Sequence, residues 1–150
     1  MDQPTNDMDD QAAQVAELDR LNAVLNSAPG GDVNADRALW QHVAKLENWF
    51  FIARGSAENP SPYSLAAEPG MMICIYSSAA RAQEAARLSG LVEPGAEGVP
   101  LYAMPVPMAI NYVAAFAQTG AFGVTIDYPQ IRAYTALANL GMLKKWLEES

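Results

Sequence analysis

The sequence predicts an α/β or α+β fold: a single-layer mixed, partly parallel sheet of about four or five strands with helices packed on it. Three observations carry that prediction. Residues 98–126 contain no charged side chain between Glu97 and Asp127, and they read as a strand (99–104), a helix (107–119) and a strand (122–126). Residues 71–76 are apolar on both faces, the pattern of a central strand covered on two sides. An alanine-rich helix separates these stretches. The resulting order of strand, helix, strand, helix, strand predicts two crossover units and a three-stranded parallel core.

Residues 1–8 are polar and acidic and are expected as a flexible tail, with a single domain over 9–150. From Asp10 to about Asn26, Val15, Leu18, Leu21 and Leu25 recur at helical spacing, and Ala28-Pro29-Gly30-Gly31 ends that helix. Asn34 is placed to cap a second helix over about 35–47, whose inner stripe is Leu39, Val43 and Leu46. Trp49-Phe50-Phe51-Ile52-Ala53 is aromatic and β-branched and reads as the first strand. Residues 55–69 are rich in Gly, Pro, Ser and Asn, which predicts loop with a short edge strand near 63–66.

After the central strand, Ser77 or Ser78 can cap the alanine-rich helix, which runs to about Ser89 with Arg81, Glu84 and Arg87 on its wet side. Pro107 suits the first turn of the next helix, where its missing N–H costs nothing, and Gly120 suits its C-terminal cap. A last helix is expected from about Gln130 to Glu148, loosened or broken at Gly141. Its inner face would hold Ile131, Tyr134, Ala138, Met142 and Trp146.

Composition excludes several functions. The net charge of -8 is concentrated at the start of the chain. There, Asp2, Asp7, Asp9, Asp10, Glu17, Asp19, Asp32 and Asp36 stand against Arg20 alone in residues 1–36. No cluster of Lys and Arg exists to neutralise phosphates, so no nucleic-acid partner is expected. Cys74 is the only cysteine and His42 the only histidine, which leaves no intrachain disulfide and no basis for a Cys or His metal site or a cofactor. A spanning helix needs ~20 consecutive apolar residues; Pro100, Pro105, Pro107, Gly120 and Gly123 interrupt the uncharged stretch, so no membrane span is expected. The first seven residues lack the positive start and apolar run of a signal peptide, which points to a cytoplasmic protein.

Three stretches then carry a family likeness: Leu39-Trp40 with Leu46 before the aromatic strand, Ile75-Tyr76-Ser77-Ser78 with Arg81-Ala82, and Gly123 with Ile126-Asp127-Tyr128-Pro129. In this order the chain, from about Leu18 to Pro129, resembles the N-terminal domain of the enhanced serine sensitivity protein (SseB) family. That family's last strand usually runs into Asn-Pro, where this chain has Asp127-Tyr128-Pro129. The resemblance implies a small bacterial cytoplasmic α/β domain without established catalysis, an interaction or regulatory module rather than an enzyme.

Among candidate site residues, Ser77 and Ser78 lie at the C-terminal end of a strand and the N-terminus of a helix, where free backbone N–H groups favour an anion. If the sheet is parallel there, Asp127 and Tyr128 fall on the same edge, where ligands of doubly wound sheets gather. Helix capping by Ser and Asp explains the same residues without a ligand. Trp40, Trp49, Phe50 and Phe51 form a dense aromatic group; Trp40, Trp49 and Phe51 are the candidates for a partner surface, if they are not core. Cys74 in an apolar strand reads as a buried structural thiol, and no Gly-x-Ser-x-Gly elbow accompanies any serine. The expected function is a non-catalytic module that binds another protein or itself. The alternatives are a small-molecule or anion sensor at the Ser77/Asp127 edge, and an acidic chaperone or immunity-type partner of a basic protein.

Overall fold

A computed structural model of the chain describes residues 4–27, 33–56, 58–67, 70–128, 130–131 and 133–149. The expected helix terminator at 28–31 and Pro129 of the Asp-Tyr-Pro stretch lie outside the described residues, as do residues 1–3 of the expected tail. The fold is α+β, with helices α1 (Pro4–Ser27), α2 (Val33–Ala44), α3 (Ala79–Leu88), α4 (Val106–Ala114) and α5 (Leu140–Glu149). The strands are β1 (Asn48–Ser56), β2 (Asn59–Pro62), β3 (Ser64–Ala67), β4 (Gly70–Ile75), β5 (Leu101–Pro105), β6 (Ala121–Ile126) and β7 (Tyr134–Ala136). Helix α1 takes in residues 4–8 of the stretch expected as a tail.

The strands form two sheets, β2-β1-β5 and β3-β4-β6-β7, instead of the single layer expected. The sheets meet where Phe50 and Tyr76 exchange two backbone hydrogen bonds of 2.9 Å. The edge strand expected near 63–66 is one segment in two parts. Its first part, β2, pairs with β1 and its second, β3, with β4. Tyr63 makes the transfer, donating its N–H to Ile52 and accepting from the N–H of Cys74.

Among the described residues only β4 and β6 are parallel, in register from Met72↔Gly123 to Ile75↔Ile126. The expected three-stranded parallel core is therefore corrected. β5 lies antiparallel on the outer side of β1, from Asn48↔Pro105 to Ile52↔Leu101, so the crossover from β4 to β6 contains α3, β5 and α4. Strand β5 has the apolar character expected of it, but its backbone donors are met equally well by either neighbour, and α3 with residues 89–100 delivers it to the far edge. The expected last helix also divides. Residues 134–136 form edge strand β7 on β6, a 3-10 turn follows over Leu137–Asn139, and α5 starts before Gly141. Gly123 permits the pairing: a Cβ there would stand 2.3 Å from the Thr135 carbonyl oxygen.

Local expectations hold elsewhere. Ser78 is the N-cap of α3, accepting from the Arg81 N–H at 3.1 Å. Pro107 sits in the first turn of α4, which tightens to a 3-10 turn over Ala115–Thr119 and stops at Gly120 in the left-handed conformation, φ 97°. Ile73, Ile75, Val124 and Ile126 face a broad core with Leu18, Leu39, Val43, Val106, Ile110, Val113, Leu140 and Leu143. Cys74 and Tyr76, with Ile52, face a thinner core made with Ala82, Ala85 and Ala86 of α3. Among the described residues no helix is long and apolar enough to cross a membrane.

Candidate functional site

The parallel pair ends at Ile75 and Ile126, and both chains turn away there. Asp127 donates its N–H to the Ile75 carbonyl at 2.9 Å, extending the pairing one step, and adopts φ 53°. Asp is among the few residues that enter this left-handed region with little strain, because its short polar side chain can bond locally. The Ile131 N–H donates back to the Asp127 carbonyl at 2.8 Å and closes the turn.

This turn aims the Asp127 carboxylate at the start of α3. Its Oδ1 accepts the Ser77 N–H at 2.7 Å and its Oδ2 accepts the Ser77 hydroxyl at 2.6 Å. Arg81 Nη1 approaches Oδ2 at 3.4 Å. The Asp127 side chain is fully buried, whereas Arg81 is 16% exposed. Burial pushes the Asp127 carboxyl above its ordinary range; the two Ser77 hydrogen bonds and the Arg81 charge pull the other way, and the Asp19 carboxylate adds to the upward push. The second arm of Arg81 holds both oxygens of Asp19 on α1. Gln130 Nε2 donates to the Arg81 carbonyl at 3.3 Å. A single arginine thus ties α1, α3 and the end of β6 together.

Ser77, Ser78 and Asp127 are brought together as the sequence suggests. Tyr128 is half-buried beside them and, among the described residues, makes no hydrogen bond to this cluster. The arrangement bears on the anion reading. The Ser77 N–H that an external anion would use is held by the chain's own carboxylate, and the Arg81 N–H is held by the Ser78 hydroxyl. Two of the donors at the helix start are thus satisfied internally.

What lies beside it is a groove between α1 and α3. It is lined by Ala12, Val15, Ala16 and Asp19 on α1, by Ser78, Ala80, Arg81 and Glu84 around α3, and by Gln130, and encloses about 790 Å³. That volume is within the range of ligand-binding clefts, ~300–1,000 Å³. Arg81, Asp19 and Gln130 were not legible as site residues. Arg81 looks like one of three charges on a solvated helix face, and its partners are 46 and 62 positions away. Its local signals were its place three residues after the Ser78 cap and its part in the Arg81-Ala82 likeness.

The remaining candidates are structural. Trp40, Trp49 and Phe51 are 2%, 0% and 0% exposed, so these three rings are core and form no partner surface. The Trp49 indole also donates to the Val43 carbonyl at 3.0 Å. His42 Nε2 contacts the Gln14 carbonyl oxygen at 2.8 Å, joining α2 to α1. The Cys74 thiol is buried and pushed up to about 11 by desolvation, with Thr125 and Tyr76 pulling weakly the other way, which leaves it protonated and poorly nucleophilic at neutral pH. A second aromatic group, Phe51, Tyr102, Tyr112 and Phe116, packs between β1, β5 and α4, with the two tyrosine hydroxyls 2.7 Å apart. Among the described residues no group of His, Cys, Asp and Glu could hold a metal ion. In comparison with known proteins, no family model, no curated protein and no solved structure matches the chain.

Proposed function

We propose that this chain is a non-catalytic, SseB-like binding module of the bacterial cytoplasm, and that it receives a protein partner in the groove between α1 and α3. The groove itself carries the proposal. It has the size of a binding cleft, a floor of small apolar side chains, and an ion-pair cluster at one end that gives it a defined shape. The chemistry around it supports binding over catalysis. General acid–base work needs a group free to exchange a proton with a substrate. Here the buried carboxylate of Asp127 is occupied by Ser77 and Arg81, the thiol of Cys74 is held protonated, and His42 spans two helices away from the groove lining.

The test is affinity capture from host lysate with the wild-type chain and with Ala16→Trp, which fills the groove from an exposed position on α1. A stoichiometric protein captured by the wild type and lost from Ala16→Trp is the expected result. Identical eluates from the two proteins would remove the groove as the binding surface.

A further inference from the structure

Resting on the groove reading above, we infer that the occupant is a cationic amphipathic helix, seated between α1 and α3 with its apolar stripe on the alanine floor and its Lys or Arg side chains toward α1. Two independent features lead there. The first is steric. Ala12, Val15 and Ala16 recur at one-turn spacing on α1, and Ala80 faces them from α3. Ala12, Ala16 and Ala80 are exposed in the free chain. Small side chains on both walls allow a third helix to approach closely, and helix-in-groove recognition uses anchors at this i, i+3, i+4 repeat.

The second feature is charge. Helix α1 carries Asp7, Asp9, Asp10, Glu17 and Asp19 against Arg20 alone, and Arg20 is already held by Glu17 through two bonds of 2.8 and 2.6 Å. On α3, Arg81 is held by Asp19 and Asp127, and Arg87 by Glu84. Among the described residues the cations of α1 and α3 are paired within the chain, and by composition α1 holds five acidic residues against one arginine. A partner of opposite sign is steered toward it and an anionic one is repelled. An acidic helix, a nucleic acid or an anionic lipid surface meets the first requirement at best, and fails the second.

The experiment is fluorescence anisotropy with a labelled synthetic helix of about four turns, Leu at i, i+4, i+7 and i+11 and Lys elsewhere. Its controls are the same peptide with Glu for Lys, and one with the Leu positions scrambled. The full chain is compared with Ala16→Trp and, from the opposite wall, Ala80→Trp, each first checked for wild-type circular dichroism and melting. The Lys peptide is expected to bind the wild type, with an affinity that falls as salt rises. Binding should weaken about tenfold or more for each control peptide and for each Trp variant, whose charges are unchanged. Equal binding by wild type and both Trp variants means loose attraction to an acidic protein, and overturns the inference. So does absence of binding. If capture from lysate still depends on Ala16 while the Lys peptide does not bind, the groove reading stands and the cationic helix falls. If neither depends on the groove, both fall.

Discussion

The two sides of the β4/β6 sheet are built by different means. On one side, Ile73, Ile75, Val124 and Ile126 meet four helices, and large side chains such as Trp49, Phe51, Leu39 and Ile110 fill the space. On the other, Cys74 and Tyr76 lie against Ala82, Ala85 and Ala86 of one slim helix. The broad side buries mostly apolar surface, and its cohesion scales with that area. The thin side tolerates polar groups at its end, where Ser77, Ser78, Thr125 and Asp127 are all buried. Asp127 bonds Ser77 and Ser78 bonds the start of α3, so this end is held by directional bonds as well as by packing. The groove opens beside that end, where α3 meets α1 through Arg81.

This contrast can be broken or sharpened by mutation. The largest loss should come from the broad side: Trp49→Ala is expected to lower the unfolding free energy by about 3–5 kcal/mol in urea titration, from the cavity and the lost bond to Val43. A loss under about 1 kcal/mol would mean that this core is loosely packed. Next, Asp127→Ala should cost about 2–4 kcal/mol, because it strands the Ser77 donors and one arm of Arg81. Asp127→Asn should cost less, since Asn keeps the left-handed turn and can still accept the Ser77 N–H.

That pair also yields a pH test. Burial raises the Asp127 carboxyl in the folded chain above the 3.8 of an ordinary Asp, so over the interval between the two values the native state binds more protons than the unfolded state. Stability from this group therefore grows as pH falls through the raised value toward 3.8, and is lost as pH rises through it. Relative to Asp127→Asn, the wild type should gain stability on acidification in that window. A wild type that instead loses ground would show that the Ser77 and Arg81 bonds outweigh desolvation.

Smaller effects separate the sides by the sign of the volume change. On the thin side, enlargement should hurt: Ala85→Leu is expected to cost about 1–3 kcal/mol by forcing α3 off the sheet, and a neutral result would show that α3 has slack. The smallest effect is Ser78→Ala, about 1 kcal/mol from the lost N-cap bond to Arg81. Thermal melting of this variant isolates capping from the Asp127 cluster, because Ser78 makes no bond to the carboxylate.

Much of the local structure was legible because its causes are local. The double-faced apolar run gave away β4, the alanine helix α3 and its Ser78 cap are written in adjacent residues, and Gly120 marks the end of the helical stretch before β6. Ser77 and Asp127 could be placed on one edge because a parallel pair puts both strand ends there. The aromatic group could not be divided between core and surface from sequence, since Trp40, Trp49 and Phe51 look alike in either role. Strand β7 was hidden inside a helical pattern: Tyr134 and Thr135 favour extended structure, but the strand is only three residues long, and the decisive contact is the missing Cβ of Gly123 on another strand.

By itself, then, the amino-acid sequence determined which residues are apolar on one face or on two, where the helices over residues 79–88 and 106–119 begin and end, and that negative charge gathers on α1. Those properties follow from hydrophobic periodicity, capping and composition, all of which act over a few positions. Only the tertiary structure decided that β5 joins β1 and not β4 or β6, that residues 134–136 form an edge strand, and that Arg81 clamps Asp19 and Asp127 beside a groove. Backbone donors and acceptors are chemically alike in every strand, and a charge 46 or 62 residues from its partner leaves no periodic trace. Such choices are made by which surfaces pack, once the whole chain is in place.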